Sequence, residues 1–300
     1  ITGEFSGRIL KSDFNTLHDL DLYIRNLINA NLKPIIINVN QEGGRLNTID
    51  YKGFGEYLSN YSLSIIKNKN LVLEYVELFA KELKAHNLTW NLSPVSDLYN
   101  KTLGTRSFSK DENEVVQLVS LFINGFQSNG IATSAKHFPG LGNTISDSHH
   151  NIQKIQLLNL KPFIKAIEDN VEVIMIGNVI VDGYGDNPAF MSKELVSLLK
   201  DTLNFNGLVV TENISMPALI EKYSIENMAI ESIKSGVDLI MLEPDFSRGN
   251  NKDSQLELIN RRNRVVEAIL KSVKDGIINE ESINISAKKV YGMYKEYKSN

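Results

Sequence analysis

The sequence contains no cysteine. That absence excludes disulfides, thiolate metal sites and cysteine nucleophiles together. Long hydrophobic runs are also missing. No apolar stretch approaches the ~20 residues needed to cross a bilayer, so no membrane span is expected in this chain. Nor is there a charge run of one sign. Lys and Arg number 32 against 36 Asp and Glu, for a net charge of -4, and the two signs are mixed. This leaves no basic footprint for nucleic acid and no charged tail. Low-complexity linkers and internal repeats are absent, which points to one domain over residues 1–300. The chain starts at Ile1 rather than Met, from which we expect that an N-terminal segment such as a signal peptide was removed. With the missing cysteine this leans towards the cell envelope or exterior, and the compartment is otherwise unknown.

What is present is enough apolar sequence, 42% of 300 residues, to bury a core of barrel size. The apolar residues fall into short runs at Gly7 to Leu10, Pro34 to Val39, Leu88 to Leu92, Ile131 to Ala135, Val171 to Ile176, Gly207 to Thr211 and Val237 to Leu242. Rich in Ile, Val and Leu, they read as parallel strands covered on both faces. Amphipathic stretches lie between them, at Leu71 to Ala85 and Ser192 to Leu203 among others, and two helices broken near Gly276 close the chain. Repeated βα units of this kind predict an α/β fold with a parallel sheet, wound open or closed as a barrel. A closed barrel has eight strands. Seven are legible, so the remaining one would lie before Ile1 or be too irregular to read.

The loops that follow these strands carry the chemistry. Asn40-Gln41-Glu42-Gly43-Gly44-Arg45 follows the second run, and Gly104-Thr105-Arg106-Ser107-Phe108 lies in the loop after the third. The fourth leads into Lys136-His137-Phe138-Pro139-Gly140-Leu141-Gly142 and then Asp147-Ser148-His149-His150, so three of only five histidines fall in one segment. The fifth ends at Gly177-Asn178 and the sixth at Thr211-Glu212-Asn213-Ile214-Ser215-Met216. In a barrel the C-terminal strand ends converge on one face, where the active site lies. The Gly-Gly pair suits a tight turn, and Glu42 and Arg45 are expected to brace one another and that turn. The histidines cluster with Lys136 rather than with further ligands, so no metal site is indicated.

These segments resemble family 3 glycoside hydrolases, most closely the single-domain β-N-acetylglucosaminidase (β-N-acetylhexosaminidase) branch, whose mark is the Asp-Ser-His loop. The resemblance covers nearly the whole chain in order and implies a (β/α)8 barrel of the TIM type. It also implies a retaining mechanism through a covalent glycosyl-enzyme on a carbohydrate substrate, an amino-sugar glycoside or a peptidoglycan fragment, with no cofactor. In that scheme His149 is the acid/base and Asp147 its partner. Imidazole suits the role because it titrates near neutrality, and Gly140 and Gly142 suggest a mobile loop that carries the pair onto substrate. Lys136, His137 and Arg106 match the family's sugar-binding residues, and Asn40, Asn178 and Met216 occupy further substrate-binding positions. His150 has no counterpart role.

Four positions depart from the family pattern. The nucleophile position holds Glu212 in place of Asp, which puts the carboxylate about 1.5 Å further out by bond length. A misplacement of ~1 Å can cost on the order of a hundredfold in rate. Asn40 stands where the family has a sugar-binding Asp, Thr48 where the branch often has Arg, and Asn178 where it has His. Three readings follow: an active β-glycosidase for N-acetylhexosamine-type sugars with Glu212 as nucleophile, an impaired relative that binds a glycan, and a structural or partner-binding barrel. Retention of Asp147 and His149 weighs against the last. The sequence assigns no oligomeric state.

Overall fold

The computed structural model describes residues 2–5, 16–30, 36–142, 144, 152–157, 159–243 and 252–297. Strand β1 (Thr2–Phe5) precedes helix α1 (Leu17–Ala30), and β2 (Ile36–Val39) leads into a small hairpin of β3 (Gln41–Gly43) and β4 (Leu46–Asn47). Helices α2 (Asn60–Ile65) and α3 (Lys69–Ala85) precede β5 (Trp90–Asn91), and α4 (Glu112–Gln127) precedes β6 (Ala132–Phe138). Next come β7 (Gln153–Ile155), α5 (Lys161–Glu168), β8 (Val173–Ile176) and β9 (Val179–Val181). The chain continues through α6 (Lys193–Ser197), β10 (Leu208–Thr211), α7 (Pro217–Ile220), α8 (Ile225–Ser235), α9 (Lys252–Lys274) and α10 (Glu280–Tyr297).

Local chemistry sets these boundaries. The Asp111 side chain accepts from the N–H groups of Asn113 and Glu114, and Glu112 and Glu114 stand in the first turn, where the helix dipole favours negative charge. Val115, Leu118, Val119, Phe122, Ile123 and Phe126 then recur at helical spacing and are buried. The Phe126 ring lies 5.1 Å from Phe122 and 5.3 Å from Phe79 of α3. Each such burial contributes about 1.5–3 kcal/mol. Helix α3 starts two residues before its expected first residue because Asn68 caps the N–H groups of Asn70 and Leu71. The stretch expected to be helical from Ser192 is split into α6 and a π-helical turn at Leu198–Thr202. Gly276, at φ 72°, separates α9 from α10 as its left-handed conformation requires.

The chain divides into two compact units. One comprises Ile1–Lys136, Lys161–Val173 and Tyr291–Asn300, and the other His137–Leu160 and Ile174–Val290. In the first, β1, β2, β5 and β6 lie side by side in that order, all parallel. In the second, the Gly177 N–H donates to the Phe138 carbonyl at 2.9 Å, and the Glu212 N–H to the Ile176 carbonyl at 2.9 Å. Val210 forms a parallel bridge with Leu239. The order there is the end of β6, then the end of β8, β10 and the run from Val237. All seven residues of β6 are buried, as a strand covered on both faces must be. The α/β reading with parallel strands therefore holds. The first strand is found at Thr2–Phe5, where the sequence Thr-Gly-Glu-Phe gave no apolar run to read. The strand expected at Gly7 to Leu10 lies outside the described residues.

Within the second unit, a buried carboxylate at the start of the last run ties the C-terminal helix down. Asp238 accepts from the Val209 N–H at 3.0 Å and the Ser286 hydroxyl at 2.8 Å. It also faces Lys200 Nζ at 2.9 Å and Lys289 Nζ at 3.8 Å. Burial pushes the Lys289 ammonium below its ordinary range, with Asp238 opposing and Lys200 reinforcing the shift. Removing the shared carboxylate leaves two cations facing each other. Asp238→Asn should therefore cost about 2–3 kcal/mol in urea unfolding. Lys289→Met should cost less, and an Asp238→Asn loss below about 0.5 kcal/mol would show that this carboxylate does not anchor α10.

Candidate functional site

In the first unit the loop after β2 is shaped by two glycines. Gly43 and Gly44 have φ of 86° and 64°. A Cβ on Gly43 would lie 2.2 Å from the Leu58 carbonyl oxygen, and one on Gly44 would lie 2.5 Å from Ser59 Cβ. No other residue fits this turn. It is held by the Gly44 N–H to the Tyr57 carbonyl at 2.7 Å and the Gly43 N–H to Asn47 Oδ1 at 3.0 Å. The turn aims Glu42 inwards, where its side chain is fully buried.

A loop and a strand meet this turn on that carboxylate. Arg106 donates through Nε to Oε2 at 2.8 Å and through Nη2 to Oε1 at 2.9 Å, the bidentate geometry natural to guanidinium. Lys136 Nζ lies 2.6 Å from Oε1 and donates to Asn40 Oδ1 at 2.6 Å. Asn40 is held in turn by Thr48, whose Oγ1 accepts from the Asn40 N–H at 2.9 Å and donates to its carbonyl at 3.1 Å. The expected Arg45–Glu42 brace does not form. Arg45 donates instead to the carbonyls of Thr102 and Leu103 at 3.1 and 2.8 Å, because Glu42 points inwards while Arg45 lies on the outer side of the turn. Arg106 and Lys136 are thus brought together on Glu42, and Asn40 joins them through Lys136.

The second unit gathers another set. Asn178 follows β8, and its N–H donates to Glu212 Oε2 at 2.9 Å, which fixes one oxygen of that half-buried carboxylate. The Asn178 side-chain Nδ2 donates to the Asn213 carbonyl at 3.0 Å and meets Met216 Sδ at 3.2 Å. Its Oδ1 is buried without a hydrogen-bond partner among the described residues. His137 is buried, its Cβ close enough to Gly177 that a side chain there would meet it at 3.1 Å. Two residues were missed at the sequence level. Asn213 Oδ1 accepts from the N–H groups of Ser215 at 2.9 Å and Glu243 at 3.2 Å, while its Nδ2 donates to Glu243 Oε2 at 3.2 Å. Glu243 directly follows the run Val237 to Leu242, so the strand-end rule that exposed the other loops would also have found it.

Asp147 and His149, with Ser148 and His150, lie outside the described residues. Among the described residues no three His, Asp or Glu side chains gather as a metal site needs. No described helix is long and apolar enough to cross a membrane.

Comparison with known proteins sets this arrangement in a lineage. The model of the glycosyl hydrolase family 3 N terminal domain matches residues 5–293. The chain belongs to that family. A beta-hexosaminidase from Idiomarina loihiensis is 31% identical over 244 residues, covering 77% of this chain and 73% of that protein. One from Photobacterium profundum is 32% identical over 226 residues, 70% of this chain and 66% of that protein. Among solved structures, a glycoside hydrolase family 3 beta-N-acetylglucosaminidase from Paenibacillus sp. superposes with a TM-score of 0.87 at 25% identity. The match takes in 99% of this family 3 chain and 56% of the Paenibacillus one, so this chain spans little more than half of that protein. A beta-N-acetylhexosaminidase from Beutenbergia cavernae shares the fold, with a TM-score of 0.84 at 21% identity over 98% of this chain and 89% of its own.

Burial alone would push the Glu42 carboxyl up, but the charges and hydrogen bonds of Arg106 and Lys136 outweigh it and hold the group at about 2 against an ordinary 4.5. A carboxyl held below its unfolded value contributes stability that is present above that value and lost as the pH falls through the folded one. Unfolding followed from pH 7 downwards should therefore show stability falling between about pH 4.5 and 2, and Glu42→Gln should flatten that limb. At pH 7 the same variant should be less stable by about 3–5 kcal/mol, because two cations lose their buried partner. An unchanged acid limb in Glu42→Gln would assign it to other carboxylates.

Proposed function

We propose that this chain is a retaining glycoside hydrolase for β-linked N-acetylhexosamine residues, with Glu212 as nucleophile. Membership of the family and likeness to proteins named beta-hexosaminidase support the reaction class. The observation that carries the role of Glu212 is its hydrogen bond from the Asn178 N–H. One carboxylate oxygen is pinned at 2.9 Å, while Oε1 has no partner among the described residues and is the oxygen available for attack. In this mechanism Oε1 attacks the anomeric carbon as His149 protonates the departing oxygen, forming a covalent glycosyl-enzyme. His149, oriented by Asp147, then takes a proton from water as that water displaces Glu212. Lys136 and Arg106, ordered on Glu42, offer donors to sugar hydroxyls, with His137, Asn40, Asn178 and Met216 completing the binding site. We further infer that the chain is one catalytic domain and that its parallel strands close as a (β/α)8 barrel.

A second reading is favoured by the residue types themselves. Glu212, Asn40, Thr48 and Asn178 all differ from the family pattern, which suits a protein that binds a glycan or peptidoglycan fragment and hydrolyses it poorly. One set of assays separates the two. A chromogenic N-acetyl-β-glucosaminide should be hydrolysed with retention of anomeric configuration, and Glu212→Gln and His149→Ala should each lower kcat by about a thousandfold or more. A higher rate in Glu212→Asp would show that the longer side chain is misplaced. Sugar binding with no turnover across a panel of β-glycosides would sink the hydrolase reading and leave the binder.

A further inference from the structure

Helix α9 lies within the second unit, buries one face and leaves a second, apolar face exposed. Its inner line, Arg261, Val265 and Ser272, is buried to 7%, 4% and 4% exposure. On another face stand Leu256, Ile259, Val266 and Leu270, between 46% and 57% exposed. At 100° per residue this second line runs roughly 130° round the helix from Val265. Isolated exposed apolar residues are ordinary, but these are in register. The intervals from 256 to 259, 263, 266 and 270 alternate three and four, which is the heptad repeat of a coiled coil with Leu256, Asn263 and Leu270 at a and Ile259 and Val266 at d. Val273, half-buried, occupies the next d position.

The polar residues in and beside the stripe identify the occupant. Asn263 is exposed at the central a position, where a single Asn, once covered, pairs best with its own counterpart and so sets the register between like helices. Arg262 falls at g and Glu267 at e, both exposed. In a parallel pair the g side chain of one helix faces the following e side chain of the other. Arg262 of each copy would therefore meet Glu267 of the other, twice across the two-fold axis. An arbitrary partner has no reason to present a matching Asn and an opposite charge at these same heights, whereas a second copy does so by symmetry.

We propose that this face of α9 is a self-association surface on which a second copy of the chain docks in parallel, through a short coiled coil from Leu256 to Val273. The helix is already formed by its packing on the core, so pairing bears no nucleation cost. A contact made by one short helix from each copy is small, so a weak, concentration-dependent dimer is expected. This inference does not depend on the catalytic reading.

Because the chain has no cysteine, Asn263→Cys introduces a single thiol. Under mild oxidation it should give a disulfide-linked dimer, whereas Lys288→Cys, exposed on α10, should not. Sedimentation velocity of the unaltered chain from about 10 to 500 µM should show a dimer growing with concentration. Leu270→Asp should abolish it, and Arg262→Glu should weaken it at least about tenfold, with recovery on adding Glu267→Arg. Thermal melting of each variant checks that the fold is kept. A monomer throughout that range, a dimer that survives Leu270→Asp, or equal cross-linking at 288 would each overturn the proposal.

Discussion

One buried carboxylate organises the first unit's site. Glu42 is fully enclosed, yet it holds an Arg from the loop after β5 and a Lys from β6. Withdrawing these charges from water costs several kcal/mol per ion, offset only because the geometry is bidentate and short. The turn after β2, the loop after β5 and strand β6 are therefore registered on one another through a single group. Such an arrangement gives little net stability but excludes most alternative side-chain placements, and that precision is what a site for a polyhydroxylated ligand requires. Asn40 is then set from two sides, by Thr48 through its backbone and by Lys136 through its amide oxygen.

The second unit uses weaker means to a similar end. Among the described residues no ion pair holds Glu212; a backbone N–H does, and the residue supplying it is itself fixed through the Asn213 carbonyl. Asn213 has its own side chain clamped by Glu243 and Ser215. Positions 178, 212 and 213 are thus joined, because Asn178 donates both to Glu212 and to the Asn213 carbonyl.

Much of this was legible before any coordinates. Parallel strands are covered on both faces, so they show as apolar runs, and six of the seven runs lie where strands or a bridge are found. The seventh, Gly7 to Leu10, lies outside the described residues, and β1, whose four residues contain one strong apolar side chain, is assigned by its pairing with β2. The β3–β4 hairpin and the short β7–β9 pair are too brief to have a period. Among the site residues, Lys136, Arg106 and Glu212 announced themselves by chemistry at strand ends. The partner of Glu42 did not. Choosing Arg106 over Arg45 depends on which side of a turn a side chain leaves, and neighbours in sequence are poor guides to that.

The Gly43–Gly44 turn has a consequence for how such a chain can vary. Its shape is dictated by contacts with the Leu58 and Ser59 backbone that leave no room for even a methyl group. Three residues before Gly43 and four after Gly44, Asn40 and Thr48 face no such veto. The turn behaves as a fixed mould whose rim is open to chemical change: charge and hydrogen-bonding character can be exchanged around it while the backbone that presents them stays the same. The side chains at the rim can thus be exchanged without refolding the turn.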